Sequence, residues 1–127
     1  MYNEKIMEEF RHPQNAGEIK DADGTGKVGN PTCGDVMQVQ IKVDNNKLTD
    51  VKFKTYGCVA AVAASSMMTQ LAKGKAIDEA KELTKQDVIN SLGGDIPPIK
   101  VHCSVLAVDA LKEAIKDYEK KSAKEQL

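Results

Sequence analysis

Tryptophan is absent from the 127-residue chain, and aromatic residues of every kind make up only 4% of it. A core with so few rings must rest on Val, Ile, Leu, Met and Ala, which leaves little space for a large internal ligand cavity. An excess of one charge is missing too: 18 Lys and Arg stand against 19 Asp and Glu, for a formal net charge of −1. Such a balance offers no bulk electrostatic drive towards nucleic acid, so no nucleic-acid partner is expected. No apolar run approaches the roughly 20 residues of a membrane-spanning helix, and Met1-Tyr2-Asn3-Glu4-Lys5 leads into no signal-like apolar stretch. The expectation is a cytoplasmic chain with no membrane contact, folded as one α+β domain over residues 1–127 with the tail from about 122 frayed. A disulfide framework is lacking as well. The three cysteines are odd in number and widely spaced, with no Cys-x-x-Cys pair among them.

Periodicity supplies the elements. Tyr2, Ile6 and Phe10 recur at helical spacing, and Pro13 stops that helix. The Gly-, Asp- and Asn-rich stretch from Asn15 to Thr32 reads mostly as loop, with a short strand near Lys27-Val28. Met37, Val39, Ile41 and Val43 alternate with polar residues, as do Val51, Phe53 and Thr55; Asp44-Asn45-Asn46 joins the two runs as a hairpin. Val59–Ala72 is a helix apolar on most sides and therefore buried, ended by Lys73-Gly74. Short helices are expected at 77–82 and 85–92, the second opened by a Thr84/Asp87 capping box. Asp95 to Lys100 should be extended because each proline restricts its predecessor, and a last helix should run from about Ser104 to Lys121.

Each cysteine falls at an element boundary. Cys33 lies in the turn Asn30-Pro31-Thr32-Cys33-Gly34-Asp35, Cys58 opens the buried helix and Cys103 opens the last one. A lone cysteine is most often a small buried hydrophobe. Two of these three instead sit among turn-forming polar residues. If the thiols converge, sulfur ligands select zinc or iron–sulfur chemistry over magnesium or calcium. Asp35 and His102 are the candidates for a fourth position. Three thiolates plus an oxygen or nitrogen donor suit either a structural zinc site or a cluster with one exchangeable ligand.

At these residues the chain resembles the IscU family of iron–sulfur cluster assembly scaffolds, seen also as the N-terminal domain of NifU. The resemblance is carried by Asn30-Pro31-Thr32-Cys33-Gly34-Asp35, Thr55-Tyr56-Gly57-Cys58 and Lys100-Val101-His102-Cys103-Ser104. It implies an α+β fold: a small antiparallel sheet with helices on one face and the cysteine loops clustered at one end. It also implies an assembly scaffold and sulfur acceptor rather than a turnover enzyme. Such a protein takes sulfur from a cysteine desulfurase and iron from a donor, builds a labile [2Fe–2S] cluster and passes it to apo-proteins. Cys33, Asp35, Cys58, His102 and Cys103 would hold the cluster, or zinc in the apo form. Cys103 would accept the persulfide with help from Lys100. Ile96-Pro97-Pro98-Ile99-Lys100 is similar to the segment gripped by an Hsp70-type chaperone in some members, and a homo-oligomer is left open. Where the family usually continues Gly-Ser-Ala-Ile-Ala-Ser after the second cysteine, this chain has Val59-Ala60-Ala61-Val62-Ala63-Ala64. The alternative is a zinc-containing SufU-like sulfurtransferase partner. That branch typically has an insertion between the second and third cysteines and lacks the preceding His, whereas His102 is present here.

Overall fold

The computed structural model describes residues 2–30 and 35–125. The first helix, α1 (Glu4–Arg11), is capped by the Asn3 side chain, which accepts the Ile6 N–H. Three strands follow, β1 (Gly24–Asn30), β2 (Asp35–Asp44) and β3 (Lys47–Thr55), forming one antiparallel sheet in the order β1-β2-β3. The hairpin between β2 and β3 turns on Asn45 and Asn46, whose φ values of 52° and 64° are what a two-residue turn of type I′ requires. Then come α2 (Val59–Ala72), α3 (Ile77–Lys81) and α4 (Lys85–Ser91). The Thr84/Asp87 capping box at α4 is formed in both directions. A 3₁₀ turn (Pro98–Lys100) leads directly into the long α5 (Val101–Glu125).

The core is aliphatic, as the composition demands. Met37, Val39, Ile41, Val51 and Phe53 line one sheet face against α2 and α5, and all are buried. Ala60, Ala61, Ala63 and Ala64 are fully buried, so the Ala-rich run after Cys58 gives α2 a small-residue surface for close packing. Polar side chains inside α2 are satisfied: Ser65 donates to the Met37 sulfur at 3.0 Å, and Ser66 donates to Glu9 at 2.7 Å.

Several expectations need correction. Tyr2 lies outside α1, and Phe10 is 38% exposed while Glu9 is buried, because Ser66 and Gln70 of α2 satisfy the Glu9 carboxylate. The expected short strand near Lys27-Val28 is the seven-residue β1. Gly24 and Gly26 are packing residues rather than loop residues: a Cβ on either would run into the carbonyl oxygen of Ala114 or Ala110 on α5. The Pro segment is not extended throughout. Proline lacks the N–H that a first helical residue leaves unused, so Pro98 starts the 3₁₀ turn, and Lys100 N–H bonds Pro97 O at 2.8 Å. Consequently α5 starts at Val101 and runs to Glu125, enclosing Cys103 within its first turn.

Candidate functional site

One end of the sheet gathers the chemistry. Asn30 pairs with Asp35 there, and Met37 pairs with Thr55 at the adjoining end of β3. Thr55 ties that end together by donating its hydroxyl to Val36 O at 2.7 Å and accepting the Gly57 N–H at 3.2 Å. Tyr56 N–H bonds the same Val36 carbonyl at 3.3 Å. The turn carrying Cys58 is thereby fastened to the start of β2. Cys58 is the N-cap of α2 and is half-buried; its side chain makes no capping bond, leaving the thiol to face other partners.

The second thiol comes from α5. Cys103 is fully buried, and its sulfur lies 3.8 Å from that of Cys58. His102 adds a nitrogen, with Nε2 3.6 Å from the Cys103 sulfur. Its other ring nitrogen, Nδ1, lies 3.0 Å from the Ile99 carbonyl oxygen. A carbonyl only accepts, so Nδ1 of the neutral ring carries the hydrogen and Nε2 presents its lone pair. A backbone carbonyl placed this way fixes the tautomer and orientation of the ring. The 3₁₀ turn is the cause: it brings Ile99 O under the ring of the residue three positions on.

Lys100 is half-buried at the same place. Its pKa is raised above the ordinary lysine value, first by attraction to the Cys58 sulfur and against some desolvation; a hydrogen bond to Cys58 and the charges of Tyr2 and Cys103 add to the rise. The cation therefore acts more strongly on Cys58 than on Cys103, the thiol expected to be its main partner. Next to Cys103, Ser104 is fully buried, and among the described residues its hydroxyl has no hydrogen-bond partner. Two large apolar side chains close in sequence to the thiols stand in the open, Tyr56 at 75% and Ile99 at 79% exposure. Sequence reasoning did not single out either residue for its exposure.

Cys58, His102, Cys103 and Lys100 are thus brought together. Cys33 lies outside the described residues; of Asp35 only the backbone, opening β2, is described. Among the described residues no set of three His, Cys, Asp or Glu side chains is grouped to hold an ion, and no helix is long and apolar enough to cross a membrane.

Residues 1–125 match the family model described as the NifU-like N terminal domain. The chain belongs to that family. It is 53% identical over 124 residues to the iron-sulfur cluster assembly scaffold protein IscU 1 of Archaeoglobus fulgidus, covering 98% of this chain and 80% of that protein. With the scaffold protein IscU of Escherichia coli K12 it shares 47% identity over 124 residues, covering 94% and 95% of the two chains. A crystal structure of an iron-sulfur cluster assembly scaffold protein for the SUF system, from Fervidobacterium islandicum AW-1, superposes with a TM-score of 0.74 at 26% identity; it covers 90% of this chain and 96% of its own.

Proposed function

We propose that this protein is a scaffold for iron–sulfur cluster assembly. The observation that carries the reading is the pairing of the Cys58 and Cys103 sulfurs at 3.8 Å, with an imidazole nitrogen 3.6 Å from one of them. Soft sulfur donors beside a borderline nitrogen suit iron–sulfur chemistry. The segment holding Cys33 connects two residues that pair at the same end of the sheet, Asn30 and Asp35. Cys33 therefore supplies the third thiolate in this reading, and Asp35 and His102 share the fourth position. A harder carboxylate there keeps the site exchangeable. The cluster is cargo: a [2Fe–2S] unit built from iron and from sulfur received on Cys103, then passed to apo-proteins. Zinc occupies the same donors when no cluster is present.

The sulfur comes from a cysteine desulfurase and the iron from a donor protein, in the cytoplasm. Tyr56 and Ile99 are apolar contacts for such partners, and Ile96–Lys100 is the segment a chaperone of the Hsp70 type would hold. The protein is a carrier of sulfur and cluster rather than a turnover enzyme. His102 beside Cys103 favours this reading over a zinc-bound sulfurtransferase.

Anaerobic reconstitution tests it. Wild type should bind iron and sulfide in equal amounts with a visible charge-transfer absorption, and Cys→Ser at 33, 58 or 103 should each sharply reduce both. Zinc binding without any iron–sulfur absorption would support the sulfurtransferase instead. Full iron and sulfide in one of the variants would remove that cysteine from the site.

A further inference from the structure

The two described thiols of the site stand sulfur to sulfur at 3.8 Å, and ligation alone gives that pairing no special use before iron arrives. Sulfur delivered as a persulfide is at the sulfane level, whereas a cluster needs sulfide, two electrons lower. Those electrons must come from somewhere. We propose that Cys58 is the internal reductant of sulfane sulfur carried on Cys103, releasing it as hydrosulfide and closing a Cys58–Cys103 disulfide. This rests on the reading of Cys103 as the sulfur acceptor.

The balance is complete without an added oxidant. The Cys58 thiolate attacks Cys103 Sγ, the inner sulfur of the persulfide. The Cys58 Sγ–Cys103 Sγ bond forms, the bond from Cys103 Sγ to the sulfane sulfur breaks, and its electron pair leaves on that sulfur as HS⁻. The two cysteine sulfurs are oxidised and the sulfane sulfur is reduced. The pair of atoms that must bond is the pair held 3.8 Å apart, so reaching the roughly 2.04 Å of a disulfide requires a closure of about 1.8 Å. Exposure assigns the roles. Cys103 is fully buried, so solvent thiols reach its inner sulfur poorly, while Cys58 is only half-buried. Exchange favours attack on the sulfur whose leaving group is the weaker base, and hydrosulfide is a weaker base than a cysteine thiolate. The product disulfide removes two ligands until an external dithiol reductant reopens it, so each round of sulfide release has to be followed by a thiol–disulfide exchange before a cluster can be held.

The test is a single turnover with metal-free, fully reduced protein, a trace of a cysteine desulfurase and less cysteine than protein, under anaerobic conditions with no added thiol. Released sulfide is measured, and the acid-quenched protein is mapped by mass spectrometry without reduction. Wild type should release one sulfide per sulfur transferred and gain a Cys58–Cys103 cross-linked peptide, at a rate independent of protein concentration. Cys58→Ser should keep the extra sulfur on Cys103 and lose the sulfide release. Persulfide on Cys103 that is equally long-lived in wild type and Cys58→Ser would overturn the proposal while leaving Cys103 as acceptor. A Cys33–Cys103 cross-link would overturn it in favour of the other thiol. Extra sulfur found on Cys33 or Cys58 in the Cys103→Ser variant at wild-type yield would overturn the acceptor reading, and the proposal with it.

Discussion

At the scale of single residues, the two described thiols differ in a way their spacing could not reveal. Both were expected at helix starts. Cys58 is an N-cap and half-buried, but Cys103 sits inside the first turn with no exposed surface. Lys100 is drawn first to Cys58. A thiol next to a cation and open to solvent is the reactive kind. In metal-free protein at neutral pH, Cys58 should therefore alkylate faster than Cys103, and Lys100→Ala should slow Cys58 more than Cys103. Quantitative peptide mapping after a short iodoacetamide pulse measures both rates. Faster labelling at Cys103 would show that the first turn of α5 opens readily. The neighbours Lys100, His102 and Cys103 were legible as a motif; which sulfur the cation faces depends on the 3₁₀ turn, and two prolines in sequence do not specify one.

Among the elements, the hairpin and α2 were readable because their signals are local. Alternation fixes β2 and β3, and the paired asparagines fix the turn. β1 was largely missed because its evidence is tertiary. Gly24 and Gly26 look like loop residues until α5 is laid across them, when their missing side chains become the condition for contact. Gly26→Ala would place a methyl group against backbone atoms of Ala110 and Ala114, which cannot rotate away. Overpacking of this kind should cost about 3 kcal/mol and lower Tm by something on the order of 10 °C, measured by thermal unfolding. A second tie crosses the same interface: the Thr25 N–H donates to Asp117 at 2.9 Å. That bond, with help from Lys121, holds the Asp117 pKa below the usual carboxylate value. Because the folded pKa is depressed, the contribution is present above the unfolded value near 3.9 and is lost as pH falls through the folded one. Asp117→Asn should destabilise by about 1 kcal/mol at neutral pH and by less in acid, so urea midpoints of the two proteins should converge towards pH 2.

Across the whole molecule, the N-terminus and the segment before the third cysteine are held together by one side chain. Asn3 accepts the Ile6 N–H to cap α1, and its amide donates to Leu92 O at 2.8 Å and Asp95 O at 3.0 Å. Those carbonyls bracket Gly93 and Gly94, whose φ values of 98° and 76° turn the chain from α4 towards Pro97 and Cys103. A Cβ on Gly93 would lie 2.9 Å from the Asn3 amide nitrogen, so the glycine also makes room for the clamp. Residues 89 and 92 positions apart thus share one set of hydrogen bonds. No local pattern in the sequence announces such a link, although Asn3 as a cap was within reach of the usual helix signals. Asn3→Ala removes a cap and two long-range bonds, and should cost about 1–2 kcal/mol. Its effect should also be directional. Amide exchange should accelerate in α1 and from Gly93 to Val101, while the β2–β3 hairpin keeps its protection, because only the former elements meet at Asn3. Hydrogen exchange followed by mass spectrometry reads both regions in one experiment. Uniform acceleration along the chain would mean that the clamp governs global stability alone, whereas the selective pattern would show that the first turn of the chain controls the freedom of the segment leading to Lys100, His102 and Cys103.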